Sequence, residues 1–181
     1  MMIGALMVMW ALFLVVSNER LDRQSGEEQA RICESLKGQI GGVRSAPEGN
    51  MPVAYVDGIA YIGILEIPSL GLTLPIQSEW TDATARLSPG RLSGSLYAND
   101  LLLAGQSYQS QFGEVGRLKE GDSVSFVDIY GNRFDYRVNG VFSIDGKAPY
   151  DTSGADGDLL LCTYTMGGLF GVCVSCAGTS A

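Results

Sequence analysis

Residues 101–113 read LLLAGQSYQSQFG, and residues 158–164 read DLLLCTY. Each opens on a continuous apolar run, at 101–104 and 159–161, which marks a central strand covered on both faces. The first run then enters a small-residue turn carrying Gln106 and Gln111. A reactive turn would carry titrating groups at such places, and the 181-residue chain contains no histidine.

Around these two runs the pattern is that of β-structure. In residues 133–138, Phe134, Tyr136 and Val138 alternate with Arg133, Asp135 and Arg137, a strand with one wet face. Val124 and Phe126 repeat the pattern, and Tyr130-Gly131-Asn132 joins the two as a hairpin connection. Val172, Val174 and Cys176 alternate near the end. Pro68, Pro75, Pro89 and Pro149 read as boundaries of these runs, where a missing N–H does least harm. Many short strands separated by glycine- and proline-bearing turns predict a closed β-barrel or a sandwich, with a helical turn around 107–118. No internal repeat and no low-complexity tract is visible.

The N-terminus is of another kind. Residues 1–16, MMIGALMVMWALFLVV, carry no charge and no proline. The length is at the short end for a spanning helix, and no small-residue cleavage site follows it. The segment reads as an uncleaved transmembrane signal anchor. Arg20 and Arg23 follow it and no basic residue precedes it, a bias that by itself favours the opposite topology to an extracytoplasmic domain. Residues 17–52 read as a juxtamembrane helix and linker. Ile32, Leu36 and Ile40 recur every four residues among charged ones, before a Gly- and Pro-bearing stretch from Gly41. The β-domain then covers 53–181.

Composition narrows the function. With 46% apolar residues the chain can bury one core. A net charge of −8 and a pI near 4.4 argue against nucleic acid, whose phosphates need a basic face. Cys173 and Cys176 are spaced C-x-x-C, but in a strand they point to opposite faces, which speaks against a shared metal. Asp100, Asp128 and Asp156 read as solvated loop carboxylates rather than a calcium site. No cofactor or metal is expected.

Three blocks carry a family resemblance: YIGILEIPSLGLTLPIQSEW at 61–80, SPGRLSGSLYANDLLLAGQSYQSQFGEVGRLKEGDSVSF at 88–126, and GDLLLCTYTMGGLFGVCVSC at 157–176. In order and content they resemble the sortases, most nearly the class B-like or clostridial branch, from about Ala54 to Cys176. The resemblance implies an eight-stranded β-barrel with short helices behind an N-terminal transmembrane helix. It also implies a membrane-anchored cysteine transpeptidase of the Gram-positive cell surface. Such enzymes cut the sorting-signal peptide of a surface protein or pilin and join it to a cell-wall or pilin amine.

That chemistry uses a cysteine thiolate, a histidine that moves a proton, and an arginine that steadies the oxyanion. By resemblance Gln106 occupies the histidine position, Tyr164 the cysteine position and Gly171 the arginine position, while Gln111 stands where relatives often have a second histidine. No Lys or Arg follows Lys147. The expectation is a pseudoenzyme on the extracytoplasmic side of a single-pass anchor, binding a sorting-signal peptide or another sortase; a decaying gene whose product does nothing is a further reading. The alternative is an active transpeptidase that uses Cys162, two residues before Tyr164, with a non-standard base. Residues i and i+2 share a strand face, but the sulfur would lie about 6.6 Å from the family's nucleophile position.

Overall fold

The computed structural model describes residues 2–41, 51–145, 156–164 and 170–179. The chain opens with one long helix, α1 (Met2–Gln39). Its first half projects apolar side chains into solvent, among them Met7, Met9, Trp10 and Phe13. Among the described residues no helix is long and apolar enough to cross a membrane.

The second half of α1 is docked. Ser25, Gln29, Ile32, Cys33 and Leu36 are buried, at the three- and four-residue spacing of one helix face. Ile32, Cys33 and Leu36 pack on Ala54, Val56, Tyr61 and Ile64, with Ile40 completing the stripe. The periodicity read from the sequence is therefore a docking face, and this part of the helix belongs to the folded body.

Nine strands follow among the described residues: β1 (Ala54–Val56), β2 (Ile59–Ile67), β3 (Leu72–Gln77), β4 (Gly90–Ser93), β5 (Leu101–Gln106), β6 (Ser123–Asp128), β7 (Arg133–Asp145), β8 (Leu159–Tyr164) and β9 (Phe170–Gly178). Their order in the sheet is β1-β2-β3-β4-β5-β8-β9-β7-β6, and β6 pairs again with β2. The last eight in chain order, β2 to β9, thus form a closed barrel. The pairs β3–β4 and β5–β8 are parallel, and the other pairs are antiparallel. The two apolar runs that opened the sequence analysis lie side by side as β5 and β8, from Leu101 opposite Leu159 to Gln106 opposite Tyr164.

Alternation along these strands separates two apolar layers. Leu101, Leu103, Leu159, Leu161, Val174 and Cys176 point into the barrel. Leu102, Leu160, Cys162, Cys173 and Ile144 form a second buried cluster on its outer face. Cys173 and Cys176 do face opposite ways.

Four local expectations meet different outcomes. The hairpin at 130–132 joins β6 to β7 as read. The segment 107–118 is a run of turns ending in a 3₁₀ turn at Val115–Arg117. Pro75 lies inside β3 opposite Ile64 rather than at a boundary. It is tolerated there because β3 pairs with β4 only at Gln77, which leaves the proline's missing donor without a ladder partner to lose. Asp128 is fully buried rather than solvated; its carboxylate accepts hydrogen bonds from Tyr97 Oη, Asn132 N and Asn132 Nδ2. Pro149 and the 165–169 connection lie outside the described residues.

Candidate functional site

The strand register settles which residues meet. Gln106 at the end of β5 is the lateral partner of Tyr164 at the end of β8. Tyr164 is in turn the partner of Gly171 in β9, and Gly171 of Ile144 in β7. Gln106, Tyr164 and Gly171 therefore stand in one row across three adjacent strands. With strands about 4.8 Å apart, the row spans roughly 10 Å, a reach suited to a cooperating set of side chains. Gln106 belongs to the outer face, since Leu102 four residues earlier joins the outer cluster, and its side chain is half-buried.

Gly171, which the resemblance matches to an arginine, has no room for a side chain. A Cβ at Gly171 would lie 2.7 Å from the Thr163 carbonyl oxygen and 2.8 Å from Ile144 Cγ1. One of those neighbours is backbone, so any side chain at 171 forces the strands to shift.

Two residues back along β8 and β9, Cys162 faces Cys173 across the antiparallel pair, with Cα atoms 4.2 Å apart. Their sulfurs are joined in a disulfide, and both residues are completely buried. A lateral pair of this kind brings side chains closest together, which allows a bridge between neighbouring strands. Cys162, the runner-up nucleophile, thus has no thiol to ionise. Sequence reasoning weighs Cys162 as a free thiol and misses the bridge, because the pairing of Cys162 with Cys173 arises only when β8 and β9 align.

The other two cysteines are also silent. Cys176 lies in the barrel core, and burial pushes its thiol up to about 12. Cys33, under α1, is pushed up to about 11, chiefly by burial, and its Sγ donates to Thr73 O at 3.7 Å. Neither is a thiolate at neutral pH. Among the described residues no group of three or more His, Cys, Asp or Glu could hold a metal ion.

The turn leaving β5 is built by residues the sequence did not reveal. Phe112 packs flat on Gly105, where a Cβ would come within 2.6 Å of the ring. Gln111 is completely buried and acts as a structural amide. Its Oε1 accepts the Gln106 N–H at 3.0 Å, while Nε2 donates to the carbonyls of Ala85 and Arg86, each at 3.2 Å. Nothing in the local pattern distinguishes it from the neighbouring polar residues, because all its partners but Gln106 are distant in sequence.

No protein-family profile and no curated protein matches this chain. Solved structures do. The sortase D5 transpeptidase of Clostridium perfringens superposes with a TM-score of 0.63 at 17% identity, covering 85% of this chain and 99% of its own. Sortase C1 of Streptococcus agalactiae gives 0.59 at 21% identity, covering 70% and 72%. The chain has the sortase fold. A third sortase-fold match is C. perfringens sortase C with the C-terminal cell wall sorting motif, at 0.57 and 18% identity, covering 92% and 90%.

Proposed function

We propose that this chain is a catalytically silent sortase-fold protein of the Gram-positive cell surface, whose outer-face groove holds a sorting-signal peptide without cutting it. The observation that carries the reading is the row Gln106–Tyr164–Gly171. It has the lateral arrangement of a cooperating triad but contains an amide, a phenol residue and a bare backbone. A phenol ordinarily titrates near pH 10 and is a poor nucleophile at neutral pH. Loss of a proton shuttle removes roughly 10²–10⁴ in rate. Loss of an oxyanion donor removes about 10²–10³ more.

Peptide binding is supported by the sortase neighbours. One was solved with its sorting motif, and sortase E1 of Streptomyces coelicolor with a tripeptide in the active site. Residues 1–16 are proposed as a single-pass anchor. The exposed Met7, Met9, Trp10, Phe13 and Val16 are the kind of surface a bilayer would cover, and the barrel is proposed, from the sortase resemblance, to lie outside the cytoplasm.

The test is binding. The full chain in detergent micelles, titrated into a pool of fluorescein-labelled sorting-signal peptides, should give saturable anisotropy changes. Gln106→Trp, which fills the end of the row, should weaken them. No saturable binding by any peptide of the pool would contradict the reading.

A further inference from the structure

The turn that presents Gln106 is held by α1 as well as by the barrel. Both oxygens of the Asp22 carboxylate point at it: Oδ1 accepts the Ser110 N–H at 2.9 Å and Oδ2 accepts the Gln109 N–H at 3.2 Å. One helical turn further on, Ser25 Oγ donates to Arg86 O at 3.1 Å and accepts from Gln29 Nε2 at 2.7 Å. Gln111 Nε2 reaches the same hydroxyl at 3.4 Å, and Gln111 Oε1 holds the Gln106 N–H. Gly26 closes the contact, since a Cβ there would sit 3.5 Å from Ser110 Cβ. Asp22, Ser25 and Gln29 thus form one helix face that meets the turn at 107–113 and the loop at 81–88.

We propose that Asp22 and Gln111 are positioning residues, and that the docked half of α1 forms a working part of the groove by fixing where the Gln106 turn lies. Three points carry this. The contact is polar and directional, so it specifies one geometry, whereas an apolar contact could slide. It is anchored on backbone N–H groups, so the turn itself is held and its side chains remain free to differ. The helix runs unbroken from the apolar segment to the latch, and Val16 and Asp22 are six residues, about 9 Å, apart along its axis. Whatever fixes the apolar half of α1 therefore fixes the Gln106 turn through a short rigid rod. If residues 1–16 lie in a bilayer, the groove's geometry depends on that anchorage. This functional consequence rests on the reading above, but the latch itself does not.

Hydrogen exchange of the full chain in detergent, read by mass spectrometry, tests the latch. Asp22→Ala should raise exchange of the 107–113 amides by about tenfold while β6, β7 and β9 keep their protection. Asp22→Glu should restore part of the loss. Gly26→Ala should leave protection unchanged, because its Cβ fits at ordinary contact distance. Gly26→Phe should wedge the helix away and reproduce the Asp22→Ala pattern with the carboxylate intact. It thus decides the matter if Asp22→Ala unfolds. Unchanged exchange at 107–113 in both Asp22→Ala and Gly26→Phe would overturn the proposal. A peptide-binding failure with altered exchange would instead count against the groove reading alone.

Discussion

Two turns at different corners of the barrel are held in contrasting ways. The turn between β6 and β7 is written locally: Asp128 bonds Asn132 N at 2.8 Å and Asn132 Nδ2 at 3.0 Å, and Gly131 N donates to Asp128 O at 3.0 Å. Every one of those partners is within four residues. The turn after β5 is written from afar. The amides of Gln111, Phe112 and Gly113 stay within the turn, but those of Gln109 and Ser110 go to Asp22, 87 and 88 residues away, and the Gln111 side chain reaches Ala85, Arg86 and Ser25. The first turn fixes a hairpin register. The second sets the position of Gln106, the proposed groove residue, and its dependence on another element makes it adjustable.

The largest expected effect breaks the distant wiring. Gln111→Leu removes a buried amide and orphans the Gln106 N–H and the Ala85 carbonyl, while Arg86 O keeps only the Ser25 hydroxyl. It should cost about 4 kcal/mol, measured by urea unfolding. Exchange protection should fall in α1 as well as in the turn. Asp128→Ala, the matching cut in the local turn, should cost about 2 kcal/mol. Its loss of protection should stay within β6, β7 and the Tyr97 segment. Gly131→Ala should cost about 1 kcal/mol, because Gly131 has φ +86° and alanine resists that region. If Asp128→Ala loosened α1 as much as Gln111→Leu did, the contrast between the turns would fail.

The same contrast bears on what could be read from sequence. The hairpin at 130–132, the two central apolar strands and the helix stripe of Ile32, Leu36 and Ile40 were legible because each depends on short-range pattern and on burial. The lateral row Gln106–Tyr164–Gly171 came from a motif resemblance, and the strand register independently brings its members together. The Cys162–Cys173 bridge, the burial of Asp128 and the latch from Asp22 were not legible. Each joins residues whose proximity arises only when the sheet closes, so no local period announces it.

The smallest expected effect uses the two buried thiols as reporters of the two packing zones. Their folded pKa values, about 11 for Cys33 and about 12 for Cys176, lie above the ordinary value near 9. A thiol whose pKa is raised by folding contributes stability that is complete below pH 9. That contribution is lost as pH climbs through 11 to 12. At pH 8 iodoacetamide should label neither in the native protein. In Gln111→Leu, Cys33 under α1 should label while Cys176 in the barrel stays protected; equal labelling of both would show that the helix and barrel open together.

The central claim is that this sortase barrel has the groove and lacks the reaction, and turnover tests it most directly. The full chain in detergent is incubated with a sorting-signal peptide pool and hydroxylamine, with and without dithiothreitol, and hydroxamate and cleaved peptide are followed by mass spectrometry. The account predicts no product above the protein-free blank in either condition. Even a reduced Cys162 has no imidazole to serve it, because the chain contains no histidine. Product that accumulates with the protein and disappears in Cys162→Ala would contradict it.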